Sequence, residues 1–272
     1  MKSDTAELSR PLAITTGILQ FGYKQLMACL FGVSLLIGVI LTSNHPTVFG
    51  MARFDFLFLY AIGFQILLIV LRLEHWREVL VIVTFHFLAM CMELFKTSPE
   101  IGSWRYPAEG AFFRLYQVPL FAGFLYSAVG SYIARTWRLF DFHFENYPSV
   151  KFTLAVAVIA YFNFYTHHYI PDLRWPLIIA SLVGFRKCQV HFFIGETRRK
   201  GPLLVGLLIL SFLIWIAENI GTYARGWAYP NQEHGWELVH IGKISSWYLL
   251  MLLSFVLVSL IQLKSLRAGA VT

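Results

Sequence analysis

Residues 217–231, AENIGTYARGWAYPN, close a long apolar run and decide how the rest of the chain is read. They put a carboxylate and an amide, Glu218 and Asn219, where the run should still lie in hydrocarbon. A short polar loop follows and ends in Trp227, Tyr229 and Pro230. The pattern occurs a second time at residues 92–107, MELFKTSPEIGSWRYP. Glu93 matches Glu218, Thr97 matches Thr222 four residues on, and W-x-Y-P recurs from Trp104 to Pro107, with a loop two residues longer in the first copy. Two copies, each ending an apolar segment, predict an internal duplication.

The composition agrees with segments that live in lipid. Of 272 residues 57% are hydrophobic and only 14% charged, against about 25% charged in a soluble domain. The core of such a chain is helix–helix packing within a bilayer. The net charge of +7 comes from Lys and Arg scattered among apolar segments, a topology signal that gives no footprint for nucleic acid. The expected partners are membrane lipids and an apolar small-molecule substrate. The three cysteines, Cys29, Cys91 and Cys188, lie in or beside apolar segments without CxxC spacing and read as packing residues. The polar N-terminus, through about Arg10, precedes an apolar run with no A-x-A cleavage site, so that run reads as a span and not a cleaved signal.

Eight apolar segments are long enough, or nearly so, to cross a bilayer: 24–41, 54–71, 79–95, 118–134, 152–167, 175–185 with extensions at either side, 203–220 and 244–263. None shows the period-two alternation of a membrane barrel. The predicted fold is an all-α polytopic membrane helix bundle of about eight transmembrane helices. It forms one membrane domain over 1–272, built as a parallel 4+4 repeat with halves near 24–135 and 151–264. With the N-terminus cytoplasmic, seven of the 22 Lys and Arg residues fall outside (Arg53, Lys96, Arg105, Arg114, Arg174, Arg225 and Lys243) and the other fifteen inside. That bias predicts both termini in the cytoplasm and both W-x-Y-P loops on the outer face. Parallel repeats commonly form a site at their shared axis.

Glu93 and Glu218 are the leading candidates for chemistry, because an ionisable group within a span is costly unless it faces protein or water. Lys96, one turn beyond Glu93, is placed to pair with it. His86, two turns before Glu93, shares its face and could complete an acid–base pair or offer a metal ligand. Asn219 completes the catalytic set. Each has a plainer reading: carboxylates that anchor span ends at the surface, and a histidine satisfied by a neighbouring helix. His167 and His168 end the fifth span. Adjacent helical residues point about 100° apart, and no HExxH spacing occurs, so no metal and no cofactor is expected. Trp104, Tyr106, Trp227 and Tyr229 are candidate substrate-binding walls, although aromatic residues at span ends also form the ordinary interfacial belt. An acid among aromatic faces suits carbocation chemistry on a polyene: the acid protonates a double bond and the rings stabilise the cation.

WRYPAEG at 104–110, VPLFAGFLYSAVGSYIAR at 118–135, and AENIG through GWAYP in the second half resemble the YoaT-like family of bacterial integral membrane proteins. That resemblance implies a multi-pass protein of the bacterial cell (inner) membrane and supplies no activity. The chain is also similar, over about fifteen residues per half, to the tandem-repeat lycopene cyclases and carotenoid hydratases, which carry an acidic residue near a helix end and then G-x-W-x-Y. Glu218-Asn219 before Gly226-Trp227-Ala228-Tyr229 has this form, as does Glu93 before Gly102-Ser103-Trp104-Arg105-Tyr106. The proline and paired glutamates that open the next helix in the cyclases are missing here, Pro107-Ala108-Glu109 being the nearest approach. Three functions follow: an enzyme acting on an isoprenoid or other apolar lipid, a transporter gated by the same carboxylates, or a structural membrane protein. A transporter needs a polar path toward the cytoplasm, and the third and seventh spans are apolar there except for His86.

Overall fold

The computed structural model describes the backbone of residues 4–262 and the side chains of residues 15–262. Lys2, Leu263, Lys264 and Arg267, used above for topology and for the eighth span, lie outside these residues, as does the Arg10 side chain. In hydrocarbon the backbone must bond to itself, and each apolar segment becomes a helix. They are α1 (Asp4–Leu41), α2 (Arg53–Val70), α3 (Trp76–Lys96), α4 (Phe121–Phe140), α5 (Val150–Thr166), α6 (Arg174–Phe185), α7 (Leu203–Tyr223) and α8 (Lys243–Ile261). Among the described residues five helices are long and apolar enough to cross a membrane: α1 from Thr15 onward, α2, α3, α7 and α8. The apolar α5 and α6 have 17 and 12 residues.

The chain also forms short strands that hydropathy did not predict. Thr47–Val48 (β1) pairs with Met51–Ala52 (β2), and Arg114–Leu115 (β3) with Val118–Pro119 (β4). A three-stranded antiparallel sheet joins His143–Glu145 (β5), Gln189–Ile194 (β6) and Thr197–Pro202 (β7) in that order. The β6–β7 segment was expected as a basic cytoplasmic loop. It is a hairpin turning at Gly195, whose φ of +58° suits glycine. The sheet marks one end of the bundle; both W-x-Y-P loops mark the other.

Arg53 ties the motif end together. Its guanidinium donates to Val39 O and Ala224 O, both at 2.8 Å, and to Arg225 O at 2.7 Å. It thereby satisfies carbonyls that the ends of α1 and α7 leave open. At the sheet end α4 runs past the expected stop at Ala134 and carries Arg135 inward. Arg135, expected in a cytoplasmic loop, is 1% exposed, with NH1 3.9 Å from Glu74 Oε1. Glu74 also accepts from Ser131 Oγ at 2.6 Å and from Gln65 Nε2. A buried guanidinium needs such a partner, and Glu74, from the α2–α3 turn, lets the helix continue. Burial raises the Glu74 carboxyl above its ordinary range, against the hydrogen bonds from Ser131 and Gln65 and the Arg135 charge.

Candidate functional site

Glu93 lies in the last turn of α3 with no solvent exposure. Three aromatic side chains hold its carboxylate. Trp104 Nε1 donates to Oε2 at 2.8 Å, Tyr106 OH to the same oxygen at 2.9 Å, and Tyr126 OH to Oε1 at 2.7 Å. Trp104 and Tyr106 come from the W-x-Y-P loop, which folds back because Ser103 N bonds Lys96 O at 2.8 Å. Tyr126 comes from the first turns of α4.

Glu218, near the end of α7, is treated in the same way. The Tyr229 hydroxyl from its own W-x-Y-P loop donates to Oε1, and Trp247 Nε1 from the first turns of α8 donates to Oε2 at 2.7 Å. Each carboxylate is thus held by its motif tyrosine and by an aromatic donor on the next helix. Burial, then the neighbouring carboxylate, keeps the Tyr106 and Tyr229 phenols well above their ordinary range, so both remain protonated donors. A carboxylate can accept roughly four hydrogen bonds. Glu93 is nearly saturated, and Glu218 keeps more open capacity.

The two shells form one cage. Arg105 and Ala228, the x residues of the two motifs, exchange both backbone hydrogen bonds at 2.9 Å as an antiparallel bridge. The Trp104 and Tyr229 rings meet edge to face with centroids 6.2 Å apart, and Tyr126 lies 6.3 Å from Trp247. Lys243, the first residue of α8, sets its ammonium over both motif rings, 5.5 Å from Trp104 and 4.2 Å from Tyr229. It interacts electrostatically with both glutamates. Sequence reading counted Lys243 only as a topology charge and did not single out Tyr126. The available signal was an aromatic donor soon after the start of the helix following each motif.

The remaining candidates are placed otherwise. Lys96 does not pair with Glu93: its Nζ lies 3.2 Å from His167 Nε2 and 2.8 Å from His168 Nε2. The aromatic donors already fill the space around Glu93, and α5 stops at Thr166, so both imidazoles turn toward one point despite the 100° rule. Burial is the main cause that holds both His167 and His168 below the ordinary histidine range. His86 forms no hydrogen bond to Glu93. Its ring meets Phe124 at 4.6 Å and covers Gly123, and its buried Nδ1 has no partner among the described residues. Asn219 donates to Trp215 O at 2.7 Å and accepts from Val239 N at 2.8 Å, pinning the loop before α8. Trp227 packs on Gly221, where a Cβ would stand 2.3 Å from the ring. Among the described residues no three His, Cys, Asp or Glu side chains converge as metal ligands.

A family model described as "Protein of unknown function (DUF817)" matches residues 17–255. The chain belongs to the DUF817 family. The chain is also similar to the "Uncharacterized protein YoaT" of Bacillus subtilis (strain 168), 38% identical over 248 residues, which cover 91% of this chain and 92% of that protein. The resemblance first carried by WRYPAEG and GWAYP therefore extends over most of the chain. No solved structure matches it. The DUF817 assignment supports a membrane protein and supplies no reaction.

Proposed function

We propose that this DUF817 protein is a membrane enzyme whose two buried glutamates perform acid–base chemistry on an apolar, unsaturated lipid of the isoprenoid class. The observation that carries the reading is the pair of carboxylates within one aromatic cage, held by neutral donors and faced by a single ammonium. Glu218, with open acceptor capacity, is the proton-transferring group. Glu93, fixed by three donors, supplies charge that stabilises a cation on the substrate, and the Trp104 and Tyr229 faces add to that stabilisation. The likeness to tandem-repeat lycopene cyclases and carotenoid hydratases points the same way. The backbone bridge between Arg105 and Ala228, matching positions in the two W-x-Y-P motifs, supports a 4+4 duplication.

The test is a comparison of lipid extracts from a deletion strain complemented with wild type, E93Q or E218Q, each at matched membrane abundance. Wild type should restore an isoprenoid species that both variants fail to restore. Unchanged extracts in the deletion strain, or full rescue by both variants, would end the proposal. A second reading, transport through the bundle, is favoured by the buried polar groups Ser127, Ser131, Glu74 and Arg135 below His86. A transporter requires Glu74 as much as Glu93; the enzyme reading expects E74Q at matched abundance to restore the lipid.

A further inference from the structure

The Lys96 side chain stands apart from the cage chemistry. It is 4% exposed, and its contacts are two imidazole nitrogens with no carboxylate among them. The acid that acts on it through space is Asp172, which is engaged by Arg174 at 3.1 Å and by Asn163 at 2.9 Å. The other charges in range are cations, Lys243 and Arg174. A buried ammonium without a counter-anion is costly, and such groups shed their charge instead.

The hydrogen-bond inventory agrees. His167 Nδ1 lies 2.7 Å from Asn163 O, so that nitrogen carries the proton and Nε2 accepts. An amine has two N–H donors; with His168 in the same Nδ1–H tautomer as His167, the two Nε2 atoms accept them and the amine lone pair stays uncommitted. An ammonium would have a third donor with no partner in these contacts. Burial together with nearby positive charge is the setting in which lysines act as nucleophiles.

We propose that Lys96 is a nucleophilic amine that forms an imine with an aldehyde or ketone carried by an apolar molecule. The Nζ lone pair attacks the carbonyl carbon, and the carbonyl oxygen takes a proton. The adduct loses its remaining N–H proton and a hydroxyl group together as water, so amine and carbonyl become imine and water. His168, 2.8 Å from Nζ and exposed at the surface, relays the proton from nitrogen to the departing oxygen. The neighbouring apolar ring is Phe95, which lies 5.9 Å from His168 and 5.0 Å from Tyr165. This activity is separate from the glutamate cage, and neither depends on the other.

The test uses the purified full-length protein in neutral detergent at pH 7.5, with farnesal as the carbonyl probe and sodium cyanoborohydride to trap the imine. Peptide mass mapping then reads each lysine. An ordinary lysine is only about one part in a thousand free base at that pH. Lys96 should therefore be alkylated at least roughly tenfold faster than the exposed Lys151, Lys187 and Lys200. H168Q should slow labelling of Lys96 alone, while K96R should abolish it there and leave the other three unchanged. Labelling of Lys96 no faster than of the exposed lysines, or an unlabelled Lys96 beside labelled ones, overturns the proposal. Because the readout is on the wild-type protein, it holds even if a variant fails to fold.

Discussion

Removing the hydroxyl of Tyr106 tests whether the aromatic shell serves a charged Glu93. Tyr106 is buried, and its hydroxyl donates to Glu93 Oε2 at 2.9 Å. Tyr106→Phe takes away one donor and opens no path for water, since Glu93 has no exposure. A hydrogen bond to a charged group contributes about 1.5–3 kcal/mol, and one between neutral groups about 1 kcal/mol. In the wild-type background Y106F should therefore cost about 2 kcal/mol. In the E93Q background, where an amide replaces the carboxylate, it should cost about 1 kcal/mol. The coupling between the two positions is then about 1 kcal/mol, well above the scatter of independent sites. At roughly 2–4 °C per kcal/mol, Y106F should lower the apparent Tm by about 4–8 °C in wild type and by half that beside E93Q. Tryptophan-detected thermal unfolding of the full-length protein in detergent reads this directly. Equal losses in both backgrounds would mean that the tyrosine packs without serving the carboxylate, and the charged-cage argument would fall.

Three further outcomes are expected. Single cysteines at Glu109 and His234, both exposed beside the W-x-Y-P loops, in a background lacking Cys29, Cys91 and Cys188, should both react with an impermeant maleimide in intact cells; labelling of one without the other would break the shared orientation of the motifs. His167 and His168 are held below the ordinary histidine range, so below about pH 6.5 the unfolded chain binds protons that the folded one resists. Stability should fall as pH drops from there through the lowered folded values, and the double change H167Q/H168Q, which leaves Lys96, Asp172 and Arg174 in place, should flatten that fall in a pH series of melting curves. Glu74→Gln leaves the Arg135 guanidinium buried without its anion and should cost about 3–5 kcal/mol, whereas replacing the pair together by E74Q/R135M should recover much of the loss.

Hydropathy alone located the eight helices found among the described residues, five of which are long and apolar enough to cross a membrane where about eight were expected. It could not see what one helix does for another. Counting Arg135 as a cytoplasmic charge assumed a solvated side chain, and the partner that draws it inward, Glu74, lies in a different turn of the chain. The motif glutamates, tyrosines and Trp104 were legible from their repeated spacing. Tyr126, Trp247 and Lys243 complete the cage from the first turns of α4 and α8, where an aromatic or a lysine is also the ordinary interfacial residue; the one signal for the two aromatics was their shared place after each motif, and Lys243 had none. Lys96 was assigned to the wrong partner for a related reason. Helical spacing makes Glu93 its neighbour, and the space beside Glu93 is already taken by rings from elsewhere.

The choice of donors distinguishes the cage from the other buried charges in this bundle. Arg53 meets backbone carbonyls and Arg135 meets Glu74, and each of those contacts serves to hold segments in place. Around Glu93 and Glu218 the hydrogen bonds come from indoles and phenols. Such donors satisfy the carboxylate oxygens without bringing a formal positive charge to them. Two carboxylates then face one ammonium, Lys243, which touches ring faces and donates no hydrogen bond to either glutamate among the described residues. An anchor would be better served by an arginine, as Arg53 shows a few residues away in the same end of the bundle. Two buried carboxyl groups that bond only neutral donors behind aromatic faces can take up or give a proton beside an apolar substrate, and that is the property the proposed acid–base work requires.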